Sequence, residues 1–342
     1  AVLTPQEVSD FFKIVASLRK AGKALVFITH KLNEIMEIAD RISVLRGGKV
    51  VGEADPGTAS ERELAELMVG RPVSSEVKKK TFSPGPVLLD VRGLAVLHDN
   101  DEMAVDHVSF TIRSGEIVGL AGVQGNGQTQ LVEALTGLRR VASGSVRFQD
   151  RDITRSSARQ RHRMGFAHIP EDRQRTGIIS NFTVAENLVL NSYYDDRFSK
   201  GPVMKWPAIY SGAAEAAVDF DVRTPSIFEA VGHLSGGNQQ KLVVARELSR
   251  DTKVLIASQP TRGLDVGSVE YIHGRVAAAR DEGDGVLIVS SELDEIIALS
   301  DRILVMFKGR IVAEFGAGAR PVDKNEIGLA MAGVNSIRDA AA

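Results

Sequence analysis

The sequence predicts an α/β domain built on a buried sheet, with a phosphate-binding loop and the closing part of a similar domain ahead of it. Three observations predict this. An apolar run at 116–121 leads into the glycine-rich stretch 122–129 and then into a helical pattern at 130–138. Further apolar runs at 254–257 and 286–290 alternate with helical patterns, as buried strands of a mixed sheet do. The chain also repeats itself: residues 1–53 match 262–314 without a gap at a shift of 261.

Both copies of the repeat read alike. Each has an amphipathic helix, a buried strand (25–29; 286–290), a second helix, and a hairpin closed by Gly47-Gly48 or Lys308-Gly309. Identities such as Leu3/Leu264, Arg19/Arg280 and Asp40-Arg41-Ile42/Asp301-Arg302-Ile303 run the length of the match. The second copy ends a domain that begins near Pro86. The first copy is therefore expected to end a similar domain whose front half lies outside this sequence. Residues 71–86, rich in Pro, Ser and Lys, read as a linker with a solvated run at Lys78-Lys79-Lys80. The expected organisation is 1–70, the end of a first domain; 71–86, linker; and 87–342, a whole second domain. The opening Ala1-Val2-Leu3, without a basic stretch before an apolar one, reads as a start inside a domain rather than a signal peptide.

Composition narrows the chemistry. A net charge of −2, with scattered Lys and Arg, argues against a broad basic face for nucleic acid. There is no cysteine, hence no disulfide framework or thiolate metal site. No run of about 18 apolar residues occurs, so any membrane association is expected through a partner.

Three motifs carry the functional signal. In Gly122-Val123-Gln124-Gly125-Asn126-Gly127-Gln128-Thr129, loop N–H groups and the following helix start can cradle a phosphate. Gln128 stands where a lysine is usual, while Thr129 keeps a hydroxyl for a metal ion. A ligand-free turn is the alternative. Leu234-Ser235-Gly236-Gly237-Asn238-Gln239-Gln240-Lys241 is a second serine-and-glycine nest at a helix start; as a cap it would need only Ser235. The strand at 254–257 runs into Ser258-Gln259-Pro260-Thr261-Arg262-Gly263-Leu264-Asp265.

In order and spacing these motifs resemble those of ABC ATPases, and the resemblance covers nearly the whole chain. It implies a P-loop fold with a mixed sheet core, an antiparallel β part and a helical subdomain. Gly122, Gly125, Asn126, Gly127, Gln128 and Thr129 would hold nucleotide, and Ser235, Gly236, Gly237, Asn238 and Gln239 would form the signature loop. In the family the 254–257 strand ends Asp-Glu. Ser258 and Gln259 replace them, removing a magnesium carboxylate and the residue that polarises water. The family's histidine switch survives at His30 in the first copy and is Ser291 in the second. Glu171 takes the glutamine position of the coupling loop, and Asp265 remains in the loop facing the partner domain. Residues 183–230 would be a helical insertion with Trp206 in its core. For adenine stacking only His98 and Met103 are near the expected position.

The variants Gly-Asn-Gly-Gln, Glu-Asp-Arg and Gln-Pro-Thr resemble the second domain of fused importer ATPases for simple sugars and nucleosides, the nucleoside branch in particular. That implies ATP and Mg2+ as cofactors, two membrane permease subunits as partners, and a substrate-binding lipoprotein or periplasmic receptor acting indirectly. It places the subunit peripherally on the cytoplasmic face of the plasma (inner) membrane. Exchanging lysine for an amide would weaken binding about tenfold, since a charge-assisted contact is replaced by a neutral one. Losing a positioned base costs about 10²–10⁴ in rate. The second site would then bind more than it hydrolyses, and this chain alone would be nearly inactive. Two other readings remain at this point: a translation-type ABC ATPase, disfavoured by Gln259 and the short Pro-rich linker, and a non-hydrolytic regulatory or scaffold module.

Overall fold

The computed structural model describes residues 5–29, 31–72, 77–316 and 320–334. They fall into two compact bodies, one from residues 1–75 with 265–270, the other from 76–264 with 271–342.

In the first body, α1 (Pro5–Lys20) is followed by α2 (Leu32–Ile38), the antiparallel hairpin β1 (Ile42–Arg46) and β2 (Lys49–Ala54), and α3 (Glu61–Val69). A capping box starts α3: Ser60 Oγ accepts from the Glu63 N–H, and Glu63 returns the bond to the Ser60 N–H. Ile42, Val44 and Leu64 form a small core with Leu32, Ile35 and Met68 against it. The strand expected at 25–29 does not form. Residues 23–29 are irregular, with Val26 94% and Ile28 93% exposed. The physical reason is that a strand is stabilised by its neighbours, and none among the described residues pairs with this one.

The second body opens with β3 (Val87–Leu97), β4 (Met103–Arg113), β5 (Ile117–Ala121), α4 (Gln128–Thr136), β6 (Ser143–Phe148), β7 (Arg151–Asp152), α5 (Ala158–Arg163) and β8 (Phe166–Ile169). It continues through α6 (Val184–Leu188), the two-residue strands β9 (Ser199–Lys200) and β10 (Val203–Met204), α7 (Trp206–Asp219) and α8 (Gly236–Leu248). The chain then runs through β11 (Val254–Ser258), α9 (Val266–Asp281), β12 (Gly285–Ser290), α10 (Leu293–Leu299), β13 (Arg302–Phe307), β14 (Arg310–Gly316) and α11 (Lys324–Met331). One sheet has the order β14-β13-β5-β12-β11-β8, parallel except for β14; the other, β4-β3-β6-β7, is antiparallel. The apolar core includes Leu89, Ile112, Leu120, Leu131, Ile256 and Leu287. Strands β5, β11 and β12 are buried along their whole length, which explains why they read as unbroken apolar runs.

At a shift of 261 the first body's elements superpose in sequence on the last ones: α1 on α9, α2 on α10, and β2 on β14 to within a residue. Even the bulges coincide, at Val44/Leu45 and Val305/Met306. Thr29 Oγ1 accepts from the Lys31 N–H as Ser290 Oγ accepts from the Glu292 N–H.

Two expectations change. Lys79 is not solvated: its ammonium donates to the Leu299 carbonyl at 2.6 Å and lies 3.7 Å from Asp301. Burial lowers its pKa, with Asp301 opposing. Beside it the Lys80 N–H donates to the Asp281 carboxylate at the end of α9 at 3.0 Å, and the Arg280 guanidinium lies over the Phe82 ring. Trp206 is 41% exposed instead of lying in a core; it stacks on Tyr210 at 5.7 Å, and Tyr210 meets Phe228 edge-on. The insertion closes where expected, by a bridge between Thr183 and Ala230.

Inside the second body, His168 of β8 and His162 of α5 are held neutral. Burial lowers both pKa values, and each Nε2 is buried without a partner. A histidine with a depressed native pKa leaves the unfolded chain binding more protons once pH drops below about 6.5. Stability should therefore hold near pH 7.5 and fall as pH is lowered through 6.5 toward about 5.5. Denaturant titrations across that range should show the decline, and His168→Phe should flatten it.

Candidate functional site

Strand β5 delivers the chain to the loop at 122–127, and α4 leads away from it. The turn depends on Gly127, whose φ of +98° caps α4 and brings the backbone against the Ala104 carbonyl. Asn126 fastens the loop from the other side. Its side-chain oxygen accepts from the Lys308 N–H at 2.7 Å and its carbonyl from the Gly309 N–H at 3.0 Å, so the β13–β14 turn holds the loop's back. The Asn126 and Gln128 side-chain amides both donate to the Val123 carbonyl, at 2.9 and 3.0 Å. Gln128 is thus 8% exposed and folded across its own loop. The first N–H groups of α4 are left for a ligand, as at any helix start.

Glu171, just past the end of β8, reaches this loop. Its carboxylate accepts from Gln124 Nε2 at 3.0 Å and from Thr129 Oγ1 at 3.2 Å, and pairs with Arg262 at 2.9 Å. Neither Gln124 nor Arg262 is singled out by the sequence pattern, because the contacts join segments about 47 and 91 residues away from Glu171.

Strand β11 ends without a carboxylate of its own. Ser258 closes β11 with 4% exposure. Gln259 follows at φ +47°, its N–H bonded to the Val289 carbonyl and its side-chain oxygen accepting from Ser291 Oγ at 3.3 Å. Gln259 and Ser291 are therefore brought together, while His30 lies outside the described residues. Behind them Glu295 is buried and accepts from Thr261 Oγ1 at 2.6 Å, with His273 at 2.9 Å. Asp265 caps the start of α9, accepting from the N–H and hydroxyl of Ser268. Burial opposes its charge, yet those hydrogen bonds keep the carboxyl below its ordinary range.

Ser235 caps α8 and stays exposed; Asn238 donates to its hydroxyl at 3.0 Å and accepts from the Arg223 N–H at 2.9 Å. Gly236 and Gly237 form the first turn of α8. Gln239 is turned inward, 4% exposed, with its amide on the Val231 carbonyl. Met103, at the start of β4, is 51% exposed, and the His98 N–H bonds the Glu102 carbonyl.

The oxygen donors that meet at the loop are one hydroxyl and one carboxylate, Thr129 and Glu171. No cluster of three or more His, Asp or Glu exists among the described residues. That set suits a hard ion such as magnesium, which takes most ligands from phosphate and water. When bound, such an ion would offset phosphate charge.

Residues 105–262 match the family model described as ABC transporter. The chain is 45% identical, over 98% of its length, to the nucleoside import ATP-binding protein NupA of Lactococcus lactis. It is 43% identical over 97% to the guanosine import ATP-binding protein NupO of Bacillus subtilis, and 40% over 97% to the ribose import ATP-binding protein RbsA 1 of Rubrobacter xylanophilus. It spans 66%, 65% and 65% of the lengths of these three proteins. A nucleotide-free ATP-binding cassette from an ABC transporter shares the fold, with TM-score 0.59 at 23% identity over 71% of this chain and 95% of that one. A dimeric cassette bound to ADP and Pi does so with TM-score 0.57 at 20% identity, over 66% and 97%.

Proposed function

The chain carries an ABC-type ATPase domain, and from that premise we propose that it is the later part of an importer subunit that uses ATP to drive uptake of a nucleoside or simple sugar. Its loop at 122–129 holds ATP with Mg2+, and its Ser235-Gly236-Gly237 loop completes a second site whose phosphate loop lies outside this sequence. Residues 1–70 are the end of that other domain, with His30 as its switch. The matching element bounds and bulges at a shift of 261 support this. Two membrane permeases are the partners, with a substrate receptor acting through them, at the cytoplasmic face.

The site at 122–129 binds nucleotide without turning it over efficiently. One observation carries this: the sole carboxylate in contact with Thr129 among the described residues is Glu171, while the strand-end positions are Ser258 and Gln259, the latter accepting from Ser291 Oγ. A neutral amide cannot take a proton from water. Binding survives because the loop's shape and N–H donors do not depend on lysine.

The test is titration of the chain with a fluorescent ATP analogue and magnesium. Gln128→Glu, nearly isosteric, places a negative charge in the cradle and should weaken binding more than tenfold. Gln128→Lys should tighten it about tenfold, the difference between a charge-assisted and a neutral hydrogen bond, with turnover almost unchanged. No saturable binding by the unaltered chain would remove the reading. A large rise in turnover in Gln128→Lys would remove the claim of a non-hydrolytic site.

A further inference from the structure

Residues 78–84 lie against the second body yet belong to none of its helices or strands. Lys79 is their main anchor. Its ammonium donates to the Leu299 carbonyl at 2.6 Å and to the Ser300 carbonyl at 3.4 Å, where α10 ends, with Asp301 3.7 Å away. The Lys80 N–H donates to the Asp281 carboxylate at 3.0 Å, and the Lys80 carbonyl accepts from Arg280 Nη1 at 2.8 Å. Phe82 lies under the Arg280 guanidinium at 5.6 Å. Lys80, Thr81, Ser83 and Pro84 stay exposed, so the stretch buries little apolar surface. Segments with few buried contacts open locally more readily than a core does. The next residues are fixed differently: the Gly85 N–H and the Pro86 carbonyl bond Ser114 at 2.8 and 2.9 Å, ahead of the β3–β4 ladder.

What lies beneath the stretch stands without it. Arg280 pairs with Asp301 at 3.0 Å, and Asp301 also accepts from the Ile117 N–H at 2.9 Å, at the foot of β5. The repeat supplies a comparison. At a shift of 261, Arg19 and Asp40 fall on Arg280 and Asp301, and they too pair, at 2.8 Å. Their side chains are 59% and 77% exposed, against 3% and 7% for the second pair. The arginine–aspartate pair thus forms with or without a segment lying over it. Releasing that segment would lengthen the chain that joins the two bodies. Nine residues, 70–78, run from the end of α3 to the Lys79 anchor; fifteen, 70–84, run to Gly85. Full extension then reaches about 50 Å instead of about 30 Å. A tether longer by that ratio lowers the concentration that each body presents to the other by about half.

We propose that residues 78–84 are a releasable strap, locked by Lys79, that passes between the second body and the tether ahead of it. Closed, the strap shortens the tether; open, it joins it while the domain stays folded. The proposal is independent of what the loop at 122–129 binds.

Amide exchange followed by NMR tests it on the whole chain, at rising urea below the unfolding transition. In the unaltered protein Lys80 should be protected, and its exchange should hardly respond to urea. Leu120 and Ile256 should follow global unfolding. Lys79→Met removes the charge and should speed exchange at Lys80 more than tenfold, as expected for a lost charge-assisted hydrogen bond. Leu120 should keep its rate. Lys78 is exposed, so Lys78→Met is the control and should leave Lys80 unchanged. Trypsin gives a second readout: cleavage after Lys80 should be faster in Lys79→Met than in Lys78→Met. A urea dependence at Lys80 equal to that at Leu120, or no protection at Lys80, overturns the strap. Equal exchange at Lys80 in Lys79→Met and the unaltered chain overturns the lock.

Discussion

Arg161→Met should lower the stability of the nucleotide-binding domain by about 3–5 kcal/mol, the range for a broken buried hydrogen-bond network. The side chain is 1% exposed and bonds five backbone carbonyls: Ala134 at 2.8 Å, Leu135 at 2.6 Å, Ile153 at 2.9 Å, Thr154 at 3.2 Å and Ser156 at 3.2 Å. No carboxylate pairs with it among the described residues. Burial brings its pKa down to about 10, which leaves it protonated at neutral pH. Two of the five carbonyls belong to the last turn of α4, where a cation also meets the negative end of the helix. Methionine fills similar space but leaves the Leu135, Thr154 and Ser156 carbonyls without the guanidinium, while Ala134 and Ile153 keep one backbone N–H each. Urea titration should show the loss, and melting should occur about 10 °C lower, since 1 kcal/mol shifts a domain of this size by about 2–4 °C. Arg161→Lys should recover a minor part, because one ammonium cannot reach five acceptors. Stability unchanged in Arg161→Met would show that water replaces the guanidinium.

Gly127→Ala should cost nearly as much and abolish nucleotide binding. At φ +98° a side chain is strained by about 1–3 kcal/mol. The added Cβ would also stand 2.1 Å from the Ala104 carbonyl oxygen, a backbone atom of β4 that cannot swing aside. Gly125 is the control. Its φ is similar, +93°, but nothing lies within 4 Å of the added atom. Gly125→Ala should therefore show the conformational cost alone, and a folded protein. Denaturant midpoints for the pair, with ATP-analogue titrations, separate steric closure from backbone strain. Equal losses in the two variants would refute the role of the Ala104 contact.

The difference between these glycines cannot be read from their neighbours in sequence. Pattern reveals what repeats locally: the apolar runs that become β5, β11 and β12, the strand–loop–helix around Gly127, and Ser235 ahead of a helix. It does not reveal which of five basic residues between Arg155 and Arg163 turns inward, because Arg161 is chosen by carbonyls of α4 and of the segment after β7. Residues 25–29 mislead for a related reason. Their composition is that of a central strand, and a central strand exists only between neighbours. Glu171 at its motif position is legible; its hold on Thr129 and Arg262 is a product of the fold.

The loop at 122–127 is fastened by Gly127 against β4, by Asn126 on the β13–β14 turn, by Gln124 on Glu171 and, through α4, by Arg161. Its shape is set when the domain folds and not when a ligand arrives. Such a cradle gives up little conformational entropy on association, so a ligand would meet an already assembled set of donors. Association should then be a single fast step without a slow rearrangement of the loop, and the effect of Gln128→Lys should appear in the dissociation rate.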